Sequence, residues 1–191
     1  MAAFSFIELL FVVGLAATIS AGALPQMLTS IDDLRAAAAA RYVSSRLQQV
    51  RMEAVARGRA VGIRFIRSGS GYSMTVYADG NRDGVRTRDI QEGTDWSLQA
   101  AERLPDRFSG VDFGTLSGLP PVDSSSAPPG SDPIRLGSSD IASFSPLGTS
   151  TTGSLYIRGR RNAQYVVRIF GETGKTRALK FNPRSGEWKA L

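Results

Sequence analysis

There is no cysteine and no histidine among the 191 residues. Their absence excludes disulfides, thiolate nucleophiles, Cys/His zinc sites, haem ligation through histidine and Ser-His-Asp triads. Only carboxylate pairs or Ser/Lys arrangements are left for catalysis, and none stands at a telling spacing. A non-enzymatic chain without a cofactor is therefore expected. A domain without cysteine is stable through its core alone, and a hydrophobic share of 42% is enough to build one. Acidic charge is in short supply: the net charge is +6, which suits a partner such as nucleic acid or anionic lipid.

Charge of either sign is missing from residues 9–27, inside the opening run "FSFIELLFVVGLAATISAGALP" (4–25). With residues 4–7 the stretch is long enough to cross a bilayer as a helix. A cleavable secretory signal would use Ala21, Gly22 and Ala23 as its small-x-small site, but no Lys or Arg precedes the run. A plain transmembrane anchor fits the length and leaves Glu8 unexplained, because a carboxylate near the hydrocarbon edge costs a few kcal/mol unless it is paired.

From Ser30 to Gly58 the pattern stays helical. Residues 36–40 are an alanine run of high helix propensity. Ile31, Leu34, Ala38, Leu47, Val50 and Ala54 recur at three- and four-residue steps or their multiples, as an apolar stripe packed on the domain's own sheet does. Arg35, Arg41, Arg46, Arg51 and Arg57 mostly fall off that stripe and read as a solvated face. Gly58 is the expected helix stop.

Beyond Gly58 the helical period disappears. The runs at 60–66 and 72–78 are β-prone and read as a strand pair, with further strands at 96–101 and 108–114. Residues 115–133, rich in Gly, Ser, Pro and Asp, read as a long loop. The runs at 141–146, 154–159, 165–170 and 176–181 follow, the last three as a meander.

Asp79, Asn81 and Asp83, followed by Gly84, share the spacing that opens a calcium loop. The twelfth position, which needs an acid, is Ile90, so an EF-hand fails on spacing. A looser calcium site and a turn whose Asp and Asn side chains bond the backbone both remain open. "GETGKT" (171–176) lacks the first glycine of a phosphate-binding loop, since residue 169 is Ile, and reads as a hairpin turn. Residues 151–191 hold nine Lys and Arg against two Glu. Arg158, Arg160, Arg161, Lys175, Arg177 and Lys180 are candidate DNA contacts there. A solvated basic sheet edge is the other reading. Tyr156 and Trp188 would stack bases if they are not core.

"FSFIELL" (4–10) resembles the N-terminal motif of type IV prepilins, in which a Phe opens an apolar helix and a Glu follows four residues later. The resemblance implies a leader of residues 1–3, cut by a prepilin peptidase between Ala3 and Phe4, and N-methylation of Phe4. Glu8 would pair with the Phe4 amine of a neighbouring subunit, and Pro25 would kink the helix. Ala3 stands where the family usually carries Gly. "RLQQVRMEAVARGRAVGIRF" (46–65) resembles more narrowly the GspH/FimT branch of minor pilins and pseudopilins through Arg51, Ala54, Arg57 and Gly58. Gly174, Lys175, Thr176 and Arg177 resemble the Gly-basic-x-Arg segment of branch members that bind DNA during uptake, with Lys175 in place of the usual Arg. The implied fold is α+β, a long N-terminal helix packed on an antiparallel β-sheet domain. Its parts would be an assembly helix at 4–28, an amphipathic continuation at 29–58 and a β-rich domain at 59–191. The implied partners are other pilin or pseudopilin subunits, the peptidase, the inner membrane with the C-terminal domain periplasmic, and, in the alternative reading, DNA.

Overall fold

The computed structural model describes residues 5–69, 71–124 and 126–191, with the side chains of residues 22–25 outside the description. Helix α1 runs over Phe6–Arg57, 52 residues, or about 78 Å at 1.5 Å per residue. It stops at Gly58, whose φ of 60° is the left-handed cap conformation that a Cβ disfavours. In that conformation the Gly58 N–H turns back to the Val55 carbonyl at 3.3 Å.

The two halves of α1 differ. Phe6, Ile7, Leu9, Leu10, Phe11, Val12 and Val13 are all exposed, as are Met27 and Leu28. Ala36, Ala40, Val43, Leu47, Val50 and Ala54 are each at most 2% exposed. Their alternating four- and three-residue steps put them on one face of the helix. Small side chains at 36 and 40 let the sheets approach closely. The lower end of the expected stripe is corrected: Ile31 and Leu34 are 41% and 68% exposed, and Ala38 is only half-buried. Carried back from Ala36, the same steps reach Asp33 and Asp32, so polar residues face the domain where apolar ones were expected. The solvated arginine face also needs correction. Arg35, Arg41 and Arg57 are exposed, whereas Arg46 Nε donates to Glu102 Oε1 at 3.0 Å and Arg51 Nε to the Gly148 carbonyl at 3.3 Å.

The strands form two antiparallel sheets. In the first, β1 (Val61–Ser68) pairs with β2 (Gly71–Ala78) along its full length and with β7 (Ile141–Phe144) on its other side. The two-residue strands β3 (Trp96–Ser97) and β4 (Glu102–Arg103) both pair with β2. The second sheet has the order β11 (Glu187–Ala190), β10 (Lys175–Asn182), β9 (Gln164–Phe170), β8 (Gly153–Arg158) and β5 (Asp112–Phe113). The short β6 (Ile134–Arg135) also pairs with β8. Helices α2 (Thr87–Glu92) and α3 (Leu104–Arg107) sit in the connections.

Alternation along the strands divides the side chains between two cores. Val61, Ile63, Phe65, Leu155, Ile157, Tyr165, Val167 and Ile169 join the α1 seam in the main core. On the far side of the second sheet, Tyr156, Val166 and Leu179 form a second cluster with Leu116, Leu119, Val122, Phe181 and Trp188. The expected loop at 115–133 thus closes the outer face of the sheet. It is fastened by Trp188 Nε1 donating to the Pro120 carbonyl at 3.2 Å, and by the Leu116 N–H donating to Gln164 Oε1 at 2.9 Å. Arg168 Nε lies 3.0 Å from Asp123 Oδ2. Tyr156, 1% exposed, and the half-buried Trp188 are core of this cluster.

Candidate functional site

The first candidate is the bare half of α1. Glu8 lies in the first turn of the helix, exposed among apolar neighbours, and it makes no ion pair among the described residues. Ala3 and Phe4, the expected cleavage and methylation positions, lie outside the described residues. Pro25 lies within the span of α1, and its side chain is outside the description. Among the described residues, α1 is the one helix long and apolar enough to cross a membrane.

The candidate DNA contacts do not form one surface. Arg158, Arg160 and Arg161 lie at the β8–β9 turn, beside Asp32 of α1. Lys175 and Arg177 open β10 at the opposite end of the sheet, where Gln48 Nε2 donates to the Gly174 carbonyl at 3.2 Å. The seven residues of β9 separate the two ends by roughly 20 Å. Lys175 and Arg177 are both exposed. Lys175 pairs across the ladder with Phe170, which is 42% exposed, and Arg177 with Arg168. Two like charges face each other in that second pair. Asp123 answers Arg168, whereas Arg177 makes no ion pair or side-chain hydrogen bond among the described residues. Lys180 leaves the group altogether. It points to the opposite face of β10, where its Nζ reaches Asp33 Oδ2 at 2.6 Å.

Asp32 and Asp33, unnoticed in the sequence, dock the domain onto the helix. Asp32 is 7% exposed, and its two carboxylate oxygens accept the N–H groups of Arg160 at 2.8 Å and Arg161 at 2.9 Å. A Cβ at Gly159 would come within 2.7 Å of the same carboxylate, so the turn closes over Asp32 only with glycine there. Asp33 receives Lys180 and the Tyr165 hydroxyl, the latter at 2.8 Å. Burial, and then that hydrogen bond, hold the Tyr165 phenol well above its ordinary range. The available signal was phase: an acidic pair standing where the helix seam continues below Ala36.

Asp79, Asn81 and Asp83 behave as a turn. Asp79, 2% exposed, accepts the N–H groups of Asn81 at 3.1 Å, Arg82 at 2.7 Å and Gly84 at 2.9 Å. Asn81 Oδ1 takes the Asp83 N–H, and Asp83 pairs with Arg86 at 2.8 Å. Asp95, equally buried, completes the arrangement by accepting from Gly80 and Arg86. The Asp79, Asn81 and Asp95 oxygens are thus engaged by backbone N–H groups and Asp83 by the Arg86 guanidinium. No group of three or more acidic side chains placed to hold a metal occurs among the described residues.

A helix bare over its first half and seated by its second half on antiparallel sheets defines an α+β protein of the type IV pilin class. A family model described as type II transport protein GspH matches residues 39–174, the docked half of α1 and both sheets through the β9–β10 turn. The chain belongs to this family. It is a pilin-like component of type II secretion that assembles with other pseudopilins. No curated protein and no solved structure matches it.

Proposed function

We propose that the chain is a non-enzymatic minor pseudopilin or minor pilin that acts by assembly, near the filament tip or in its initiation. In this reading a prepilin peptidase cuts between Ala3 and Phe4, Phe4 is N-methylated, and residues 4–28 hold the subunit in the inner membrane. The domain at 59–191 lies in the periplasm. The observation that carries the reading is the exposed apolar half of α1, which the chain's own domain leaves uncovered and a bilayer or a stack of sister helices would cover. Mass spectrometry of the mature protein tests it. A methylated Phe4 at the N-terminus is expected, and cleavage after Ala23 or an intact Met1 would refute it.

Uptake of DNA is a second reading, favoured by one specific arrangement: Lys175 and Arg177 beside the exposed ring of Phe170. Cations track phosphates while an aromatic face accepts a base. The DNA contacts would then be confined to this end of the sheet. In gel-shift titrations of the full chain in detergent, replacing Lys175 and Arg177 with Gln is expected to weaken duplex binding about tenfold. It is also expected to flatten the salt dependence by about two phosphate contacts. Unchanged affinity would exclude these residues as the DNA site.

A further inference from the structure

The opposite end of the second sheet carries its own basic group, and its position relative to α1 gives it a different partner. The exposed apolar side chains of α1 extend from Phe6 to Leu28, about 34 Å of helix at 1.5 Å per residue, enough for a hydrocarbon core of roughly 30 Å. Asp32 follows one turn later, about 6 Å beyond Leu28, at headgroup level. No Lys or Arg lies between Phe6 and Leu34, and two acids, Asp32 and Asp33, stand at headgroup level on α1 itself.

The domain reverses that local charge. The β8–β9 turn is pinned against Asp32 by two backbone hydrogen bonds, and Arg160, Arg161 and Arg35 line a crevice with Leu28 and Ile31. On the other flank of the turn, Arg184 lines a second crevice with Thr29, Ser30 and Asn162. All four arginines are exposed, and none of their guanidinium groups makes an ion pair or a hydrogen bond among the described residues. Asp33 is paired with Lys180, and Asp32, whose carboxylate lines the first crevice, offsets one of the four arginines, so the group stays net positive. Four unpaired guanidinium groups on rigid supports, within a Debye length of an anionic leaflet, suit bidentate contact with phosphate.

We propose that Arg35, Arg160, Arg161 and Arg184 form a collar that binds the headgroups of anionic phospholipids where α1 leaves the bilayer. The inference rests on the membrane reading of α1 given above. In the collar, the lipid surface holds the domain at a fixed height and tilt before the subunit is drawn into a filament.

The test uses the full chain in nanodiscs of phosphatidylcholine alone or with phosphatidylglycerol. The chain has no cysteine, so Asn162→Cys places one fluorophore between the two crevices. Phosphatidylglycerol is expected to shield the label from acrylamide, and molar salt to reverse the shielding. Replacing Arg160 and Arg161 with Gln is expected to remove most of the effect, each arginine contributing roughly fivefold to the seated population. Equal quenching in the two lipids, or shielding that survives the substitutions, would overturn the collar. Duplex DNA released by the same substitutions without any lipid effect would overturn it in favour of a nucleic-acid role. Failure to enter either disc would instead overturn the membrane reading itself.

Discussion

Glu8→Ala is expected to leave a chain that folds and inserts normally yet is lost from filaments by about 100-fold or more. Glu8 stands on the first turn of α1, exposed in an otherwise uncharged stretch, and it makes no ion pair among the described residues. Left unpaired near hydrocarbon, its carboxylate is unfavourable by a few kcal/mol. In the proposed assembly it would lie opposite the amine of a neighbouring Phe4 as half of a desolvated pair, whose disruption costs about 3–5 kcal/mol. Since 1.4 kcal/mol is a factor of ten, incorporation is expected to fall by roughly two to three and a half orders of magnitude. The variant's thermal midpoint stays unchanged, because Glu8 touches nothing that holds the domain together. Sheared filaments assayed for the subunit, alongside membrane fractions, separate assembly from insertion. Wild-type incorporation of the variant would remove Glu8 from the interface, and a fall in its membrane content would mean that the residue serves insertion instead.

Periodicity made much of the fold legible. The runs at 60–66, 72–78, 141–146, 154–159, 165–170 and 176–181 lie on β1, β2, β7, β8, β9 and β10, each long enough for alternation to show. The expected strands at 96–101 and 108–114 contain only the two-residue β3 and β5. Such short pairings, like β4, β6 and the one-turn helices α2 and α3, have no period to read. Their existence depends on what the long strands leave uncovered. The four residues of β11 escaped for a related reason: only Trp188 is withdrawn from solvent there, while Glu187, Lys189 and Ala190 are exposed.

The candidate site was legible in its types and not in its grouping. Nine cations in the last 41 residues read as one basic region. Strand direction then sends Arg160 and Arg161 to one end of the sheet and Lys175 and Arg177 to the other, and the side-chain alternation of β10 turns Lys180 inward to Asp33. The acids that organise the first of these ends, Asp32 and Asp33, lie about 130 residues away in sequence from Arg160 and Tyr165, which they bind. Nothing local marks them except their phase on the helix.

That phase makes Asp32 the residue whose loss should be felt most strongly within the folded domain. Its carboxylate is buried and accepts two backbone N–H groups that have no other acceptor among the described residues. Asp32→Ala removes both bonds and leaves the two donors beneath a turn that Gly159 has brought into close contact. An unsatisfied buried donor costs about 1–3 kcal/mol. The expected destabilisation is therefore about 2–5 kcal/mol, or roughly 5–15 °C in thermal midpoint for a domain of this size. Asp32→Asn keeps one acceptor oxygen and should fall between the two. Asp33→Ala should cost less, because the Lys180 pair is partly open to water, with side chains 43% and 34% exposed. Hydrogen exchange gives the local readout. The Arg160 and Arg161 amides are expected to lose protection in Asp32→Ala, ahead of the β9 and β10 amides, because the turn lifts from α1 before the sheet opens. If both amides stay protected and the midpoint is unmoved, the β8–β9 turn is held by something other than Asp32. In that event the collar would keep its place without the docking that positions it.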